Sequence, residues 1–314
     1  MWVTASLGAV RVPTAIALGN FDGVHRGHQR VIEPILAGAS GGAGPLGDRA
    51  APVPTVVSFD PHPQAFFSGQ PRSALTLPTE KGVILAELGV RQLVLLPFDR
   101  TLAELPPEAF VRSILLEGLQ ACGIAVGEDF RFGRDRRGTA EMLRAIAAKW
   151  SVPVTIVPLH CAGGDRVSSS WIRQCLCEGD IATANRLLGR PYSLTGTVEP
   201  GQQLGQKLGF PTANLALSPQ KFLPRHGVYG VEVTWADGLA VPGVMNVGRR
   251  PTVDGQRVTA EVHLLDWAGD LYGQEITVAL RHFLRPERKF DGLDALVAQI
   301  RLDCEAARSR WATA

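Results

Sequence analysis

The sequence predicts two domains of different class. The first is an α/β domain built on a parallel sheet. The second is a smaller all-β domain, an antiparallel barrel or sandwich, closed by one helix. Three observations carry this. The chain has 314 residues, and at about 100–200 residues per domain that suggests two. Its first part alternates short apolar runs with helical patterns, the mark of βαβ units. Beyond Pro191 short runs of β-formers follow one another with no helix between them.

Each element follows from local pattern. Residues 15–18 (Ala-Ile-Ala-Leu), 56–59, 93–96 and 154–157 read as buried strands. Residues 83–88 and 108–119 read as helices between them. Residues 38–54, rich in Gly, Ala and Pro, read as a flexible surface loop joining the first helix to the second strand. Residues 171–188 read as one helical stretch stopped by Gly189, with Pro191 just beyond. The domain boundary is placed there, giving domains 1–188 and 189–314. In the second domain, residues 228–235 lead into Asp237-Gly238, a hairpin signal. Strands at 258–264 and 274–280 follow. Leu293, Leu296, Val297 and Ile300 recur at helical spacing behind an Asp291 cap.

Composition excludes several classes. Hydrophobic residues make up 45% and charged residues 20%, an ordinary globular mix. A net charge of +2 rules out strong whole-chain attraction to nucleic acid or to an anionic membrane. No apolar run approaches the roughly 18 residues of a membrane span, and Met1-Trp2-Val3-Thr4 does not open a secretory signal. The five cysteines form no CxxC pair, so neither a disulfide framework nor a zinc site is indicated. A reduced, cytoplasmic protein is expected.

The first chemical constellation is Gly19-Asn20-Phe21-Asp22-Gly23-Val24-His25-Arg26-Gly27-His28, which follows the first strand and opens a helix. Gly19 and Gly23 allow a sharp turn and close approach of backbone to ligand. N–H groups at a helix start, with the helix dipole, attract phosphate. His25 and His28, three apart, share a helix face and could donate to a triphosphate as charge builds during attack on phosphorus. The plain alternative is a turn that happens to hold two histidines. Ser168-Ser169-Ser170-Trp171-Ile172-Arg173 offers hydroxyls at another helix start, with Arg173 for bidentate phosphate contact; read alone, it is a serine N-cap.

The second constellation runs from Gly201 to Lys207, Gly209, Pro211, Thr212, Ala213 and Asn214. No GxxxxGK[ST] is present, so it is not a P-loop. If Thr212 and Asn214 lie on a strand they share a face, and their oxygens suit Mg²⁺ held together with substrate phosphates. Read alone, the stretch is a Pro-led strand with a turn-forming Asn. Further on, alternation places Val258, Ala260, Val262 and Leu264 on one strand face and Thr259, Glu261 and His263 on the other.

GNFDGVHRGH resembles the HxGH signature of nucleotidyltransferases, and in this longer form the adenylyltransferase module of the prokaryotic bifunctional riboflavin kinase/FAD synthetase family. Residues 57–63 (VSFDPHP) and 126–133 (VGEDFRFG) are similar to that family's second-strand and flavin-proximal segments, and 168–173 to its Ser-Ser-Thr-x-x-Arg motif. Ser170 stands where Thr is usual and Trp171 where a basic residue is common. The 207–214 stretch, with residues 227–229, 245–252, 260–266 and 270–273, resembles the riboflavin kinase signature.

The resemblance implies a Rossmann-like FMN adenylyltransferase domain and a riboflavin kinase-like β-barrel with a terminal helix. It implies that riboflavin is phosphorylated to FMN with MgATP, and that FMN is adenylylated by ATP to FAD with release of pyrophosphate. Glu261 would be the general base toward the ribityl 5′-hydroxyl, and His25 and His28 would serve the adenylyl step. Gly19, Asn20, Phe21, Asp22, Gly23, Ser168, Ser169 and Arg173 would bind ATP phosphates there. Asp60, His62, Pro63, Asp129 and Phe130 would meet the flavin. Gly201, Lys207, Gly209, Thr212 and Asn214 would bind MgATP in the kinase, Thr212 and Asn214 holding the metal. Partners would be these small molecules, with no nucleic acid and no membrane; a homo-oligomer stays open. The alternative is a flavin- or nucleotide-binding regulator, or a single-activity enzyme, on the same scaffold.

Overall fold

The computed structural model describes residues 1–40, 51–201, 204–235, 238–252 and 255–311; among these, the side chains of 38–40, 204, 207, 249–252 and 255–258 are not described. Packing divides the chain into two units, Met1–Ser169 and Ser170–Ala314.

Six strands form the parallel sheet of the first unit: β1 (Trp2–Thr4), β2 (Thr14–Leu18), β3 (Val53–Asp60), β4 (Gln92–Pro97), β5 (Ala121–Gly127) and β8 (Val154–Val157). Their order is β1-β4-β3-β2-β5-β8, and every pairing is parallel. The expected Rossmann-like sheet is thus present. β2 is fully buried, as its unbroken apolar run requires. The order reverses between β2 and β5, and at such a switch point the carboxyl ends of the two strands open a ligand crevice.

Helix α1 (Arg26–Ser40) covers one face through Val31, Ile32 and Ile35, which recur at helical spacing and are buried. It claims residues 38–40 from the expected loop, and β3 claims 53 and 54; residues 41–50 lie outside the described residues. Short α2 (Pro63–Ser68) and then α3 (Pro78–Glu87) follow β3. The helix expected at 108–119 is more irregular: after α4 (Arg100–Ala103), α5 (Pro107–Ala109) runs on as a π-helix, Phe110–Gly118. Phe110, Val111 and Leu115 there are buried in the sheet's second core. Small hairpins β6–β7 (Arg131–Phe132, Gly138–Thr139) and β9–β10 (Cys161–Ala162, Asp165–Arg166) flank α6 (Ala140–Ala148) and β8.

The stretch read as one helix over 171–188 is two. α7 (Ser169–Glu178) stops at Gly179, whose φ of 84° is left-handed. Asp180 then caps α8 (Ile181–Leu188) by accepting from the Thr183 N–H at 3.0 Å. Gly189 closes α8 in the left-handed conformation, as the helix-stop pattern predicts. Packing puts α8 with the second unit: Asn185 Nδ2 donates to Leu280 O at 2.8 Å, and Asn185 Oδ1 accepts from the Tyr192 N–H at 2.7 Å.

The second unit is a closed antiparallel barrel in the order β11-β12-β15-β14-β13-β16. Its strands are β11 (Tyr192–Glu199), β12 (Ala213–Ala216), β13 (Gly227–Thr234), β14 (Ala240–Thr252), β15 (Gly255–Leu264) and β16 (Glu275–Pro286), with short α9 (Leu204–Lys207) before β12. Asp237 of the hairpin signal lies outside the described residues; Gly238 follows with φ of 72°. Tyr229, Val233, Met245, Val262 and Val278 fill the interior with no exposure.

α10 (Leu293–Trp311) lies on the outer face of β13 and β14, where Cys304 and Ala307 pack with Val228, Val244 and Leu265. Buried Asp303 takes a two-pronged ion pair from Arg285 of β16 at 2.8 and 2.9 Å. Two expectations for this helix need correction. It begins at Leu293, and the Leu296 N–H bonds Gly292 O, so Gly292 rather than Asp291 occupies the cap. Leu293 is 56% exposed; the helix packs from Leu296 onward.

Candidate functional sites

The loop at the end of β2 is held in an unusual backbone. Phe21, Gly23 and Val24 have φ of 49°, 91° and 42°. A β-branched residue at positive φ is a genuine outlier and costs about 1–3 kcal/mol. Phe21 and Val24 bury their side chains almost completely in the core under α1, so apolar burial holds the strained backbone in place.

Polar brackets do the rest. Asp22 Oδ1 accepts from the N–H groups of Leu75 at 2.8 Å and Thr76 at 3.4 Å. Thr76 Oγ1 accepts from the Gly23 N–H at 3.1 Å, and Ser169 Oγ donates to Asp22 O at 2.7 Å. Asp22 and Ser169 therefore shape the loop. The loop's N–H groups are not equivalent: Gly23 and Val24 spend theirs inside the protein, whereas those of Phe21, Arg26 and Gly27 take no protein acceptor among the described residues.

The two histidines are together. The His28 N–H donates to His25 Nδ1 at 3.2 Å, and the rings stack with centroids 3.6 Å apart. Because His25 Nδ1 accepts, the neutral ring carries its proton on Nε2. His25 is buried. Gly27 makes room for it, since a Cβ there would stand 3.2 Å from the imidazole.

Around this loop the other sequence-predicted residues are distributed unevenly. Asp60 ends β3 and is exposed. His62 caps α2, its Nδ1 accepting from the Gln64 N–H at 3.1 Å, and Pro63 is that helix's first residue. Asp129 follows β5 and forms an ion pair with Arg166. Phe130 stacks on Phe132 at 5.7 Å, and Phe132 belongs to the core. Arg173 lies in the second unit, its guanidinium 4.6 Å above the Phe222 ring. Sequence reasoning passed over an aromatic group beside the Asp60–Pro63 turn: Phe66, Phe67 and Phe98 meet edge to face at 5.3–5.7 Å, with Phe67 66% exposed. The sequence does not signal this group, because Phe98 comes more than thirty positions after Phe66 and Phe67; the three gather only when the ends of parallel β3 and β4 lie side by side.

In the barrel, strand register assembles the second set. Asn214 of β12 pairs across to Glu261 of β15, Glu261 to Asn246 of β14, and Asn214 on its other side to Glu199 of β11. Direct cross-strand partners share a face. The neighbours Leu215, Ala260, Val262, Met245 and Val247 are buried inside, so this polar row lies on the outer wall. Thr212 immediately precedes β12. Pro211 O is bonded by His263 Nδ1 at 2.8 Å, which pins the turn to β15.

Glycines crowd these donors. A Cβ on Gly201 would drive into the Asn214 amide, with Cγ at 2.6 Å. A Cβ on Gly205 would collide with Phe210 O and approach Thr212 Oγ1 to 3.3 Å. Gly209 turns with φ of 86°. Lys207 ends α9, and its side chain is outside those described. The exposed Glu199 and the row member Asn246 were not singled out from sequence; only the register exposes them. A separate cavity of about 280 Å³, lined by Arg281, His282 and Trp311 among others, contains none of these residues.

Comparison with known proteins matches most of the chain. An FAD synthetase family model matches residues 9–171, and a riboflavin kinase family model matches residues 188–311. The bifunctional riboflavin kinase/FMN adenylyltransferase of Escherichia coli strain K12 is 41% identical over 294 residues, covering 93% of this chain and 91% of that one. The protein of the same description from Listeria monocytogenes is 36% identical over 300 residues, covering 95% and 92%. Among solved structures, one described as a macrolide-efflux protein from Streptococcus pneumoniae superposes with a TM-score of 0.84 at 29% identity, covering 98% of each chain. In the present chain no described helix is long and apolar enough to cross a membrane.

Proposed function

The chain belongs to the bifunctional riboflavin kinase/FMN adenylyltransferase family, and from that premise we propose how its residues divide two ATP-dependent reactions. The chain phosphorylates riboflavin to FMN and transfers AMP from ATP to FMN, giving FAD.

For the kinase step, the supporting observation is the pairing of Glu261 with Asn214 on one barrel face. The Glu261 carboxylate accepts the proton of the ribityl 5′-hydroxyl as that oxygen attacks the γ-phosphorus and ADP leaves. Gly201, Gly209 and Lys207 line the phosphate path. Thr212 and Asn214 offer a hydroxyl and an amide oxygen, hard donors that fit Mg²⁺ when phosphates complete its shell. No cluster of three or more His, Cys, Asp or Glu competes as a metal site among the described residues. Bound there, Mg²⁺ would neutralise phosphate charge. Glu261 and the glycine turn still do the orienting.

For the adenylyl step, an FMN phosphate oxygen attacks the α-phosphorus of ATP and pyrophosphate departs. The nucleophile is already ionised, so no strong base is required. The work is to bring two anions together and to stabilise charge on the phosphate chain. His25 and His28 act as donors, the N–H groups of Phe21, Arg26 and Gly27 line the cradle with Gly19, Asn20 and Gly23, and Ser168, Ser169 and Arg173 serve the second motif. Asp60, His62, Pro63, Asp129 and Phe130 face the flavin, with the Phe66–Phe67–Phe98 group supplying aromatic surface. The sequence boundary between Leu188 and Gly189 falls where the riboflavin kinase family match begins, whereas by packing α8 goes with the second unit. The enzyme works in the cytoplasm on small molecules, with no nucleic acid or membrane partner.

The test is direct. Purified chain is incubated with riboflavin, ATP and Mg²⁺, and the flavins are separated by chromatography. FMN should appear first and FAD after it. Absence of both contradicts the reading.

A further inference from the structure

Lys81 is a buried cation that neither reaction has yet used. It lies on α3, 7% exposed. Its Nζ donates to Asn20 O at 2.9 Å and to Ser58 Oγ at 3.1 Å. Ser58 Oγ in turn donates to the same Asn20 O at 2.9 Å. Lysine is almost never fully buried unless it is paired, and its direct partners here are a carbonyl and a hydroxyl. Neither repays the cost of burying an ammonium.

The geometry gives that cost a use. A trans peptide is rigid and planar, so its C=O and N–H point in opposite directions. Drawing the Asn20 carbonyl inward turns the Phe21 N–H outward, and that N–H takes no protein acceptor among the described residues. We propose that Lys81 is a positioning residue of the adenylyltransferase: it locks the Asn20–Phe21 peptide with its N–H toward the nucleotide phosphates and places a fixed positive charge behind the loop. The inference rests on the adenylyltransferase reading above and adds a residue to it.

Charge near the ammonium supports the assignment. Burial pushes Lys81 down to about 8, against the opposing pull of Asp22 from the loop and Asp60 at the end of β3. Glu80, its neighbour on α3, is turned back to accept from the Leu77 N–H. Lys81 is thus charged below about pH 8 and loses its proton as pH rises through that value. A phosphate chain bound across the loop favours the charged form, and the charged form favours the phosphate chain.

The test compares wild type, Lys81→Met and Ser58→Ala in conversion of supplied FMN to FAD, from about pH 6.5 to 9.5. Phosphorylation of riboflavin by each chain is the internal control for folding. In wild type, KM for ATP in the adenylyl step should climb above about pH 8, while the kinase step shows no such limb. Lys81→Met should raise that KM roughly ten- to hundredfold below pH 8, as loss of a hydrogen bond from a charged group implies. It should also abolish the limb and leave the kinase step intact. Ser58→Ala should keep the limb with a smaller rise in KM. A wild-type KM that is flat across the range overturns the proposal without recourse to any variant. So does a Lys81→Met chain with unchanged KM. If wild type makes no FAD at all, the adenylyltransferase reading itself fails, a result distinct from either.

Discussion

Asn214 and Glu261 stand directly opposite each other on paired strands β12 and β15, with side chains on the outer wall of the barrel. The pairing puts a metal-suited amide oxygen beside a carboxylate that can take a proton, although 47 positions of chain separate them.

Glu261→Gln should therefore slow phosphorylation of riboflavin by about 10²–10⁴-fold, the usual worth of a general base. The loss should fall on kcat, since the amide keeps the shape of the side chain. Steady-state kinetics with saturating MgATP measure it; an unchanged kcat contradicts the assigned role.

Gly201→Ala should act on the same site through space. The new methyl group would collide with the Asn214 amide, so KM for MgATP in the kinase step should rise and more Mg²⁺ should be needed for half-maximal rate. Titration of the kinase rate with Mg²⁺ reads both. The adenylyl step on supplied FMN should be unaffected.

His28→Ala should lower adenylyl transfer by about 10²–10³-fold, the scale seen when one donor to developing charge is removed. It also unstacks His25, whose ring lies 3.6 Å away, so the double variant with His25→Ala should lose less than the product of the two single effects. Single-turnover formation of FAD from FMN and ATP measures the cycle.

Asp303→Ala should destabilise the barrel. It leaves Arg285, whose side chain is only 17% exposed, without its carboxylate, and breaking a buried pair by removing one partner costs about 3–5 kcal/mol. The midpoint of urea unfolding should fall accordingly. Direct effects on the adenylyl step are not expected, because the pair ties α10 to β16.

Much of this was legible in the sequence. The strands at 15–18, 56–59, 93–96 and 154–157 each fall inside an observed strand; the first three are largely buried, as their apolar runs imply, whereas 154–157 is the edge strand β8 and contains no buried residue. The glycine-histidine loop was visible because it is contiguous. What stayed hidden is non-local. Lys81 looks like an ordinary surface lysine in α3 until the fold sets it under Asn20. Asn246 and Glu199 join Asn214 and Glu261 only through barrel register. The break of α7 from α8 turned on Gly179 alone, and a single glycine inside a helical pattern is compatible with either outcome. The cap expected at Asp291 failed by one position, within the usual uncertainty of helix ends.

Two separate sites on one chain is the claim beneath all of this, and mixing the variants tests it most directly. Glu261→Gln and His28→Ala chains are supplied with riboflavin, ATP and Mg²⁺, each alone and then together, and the flavins are followed by chromatography. The first alone should make almost no FMN, and the second alone should stop at FMN. The mixture should carry riboflavin through to FAD. Folded variants that, once mixed, still produce no FAD would contradict the account.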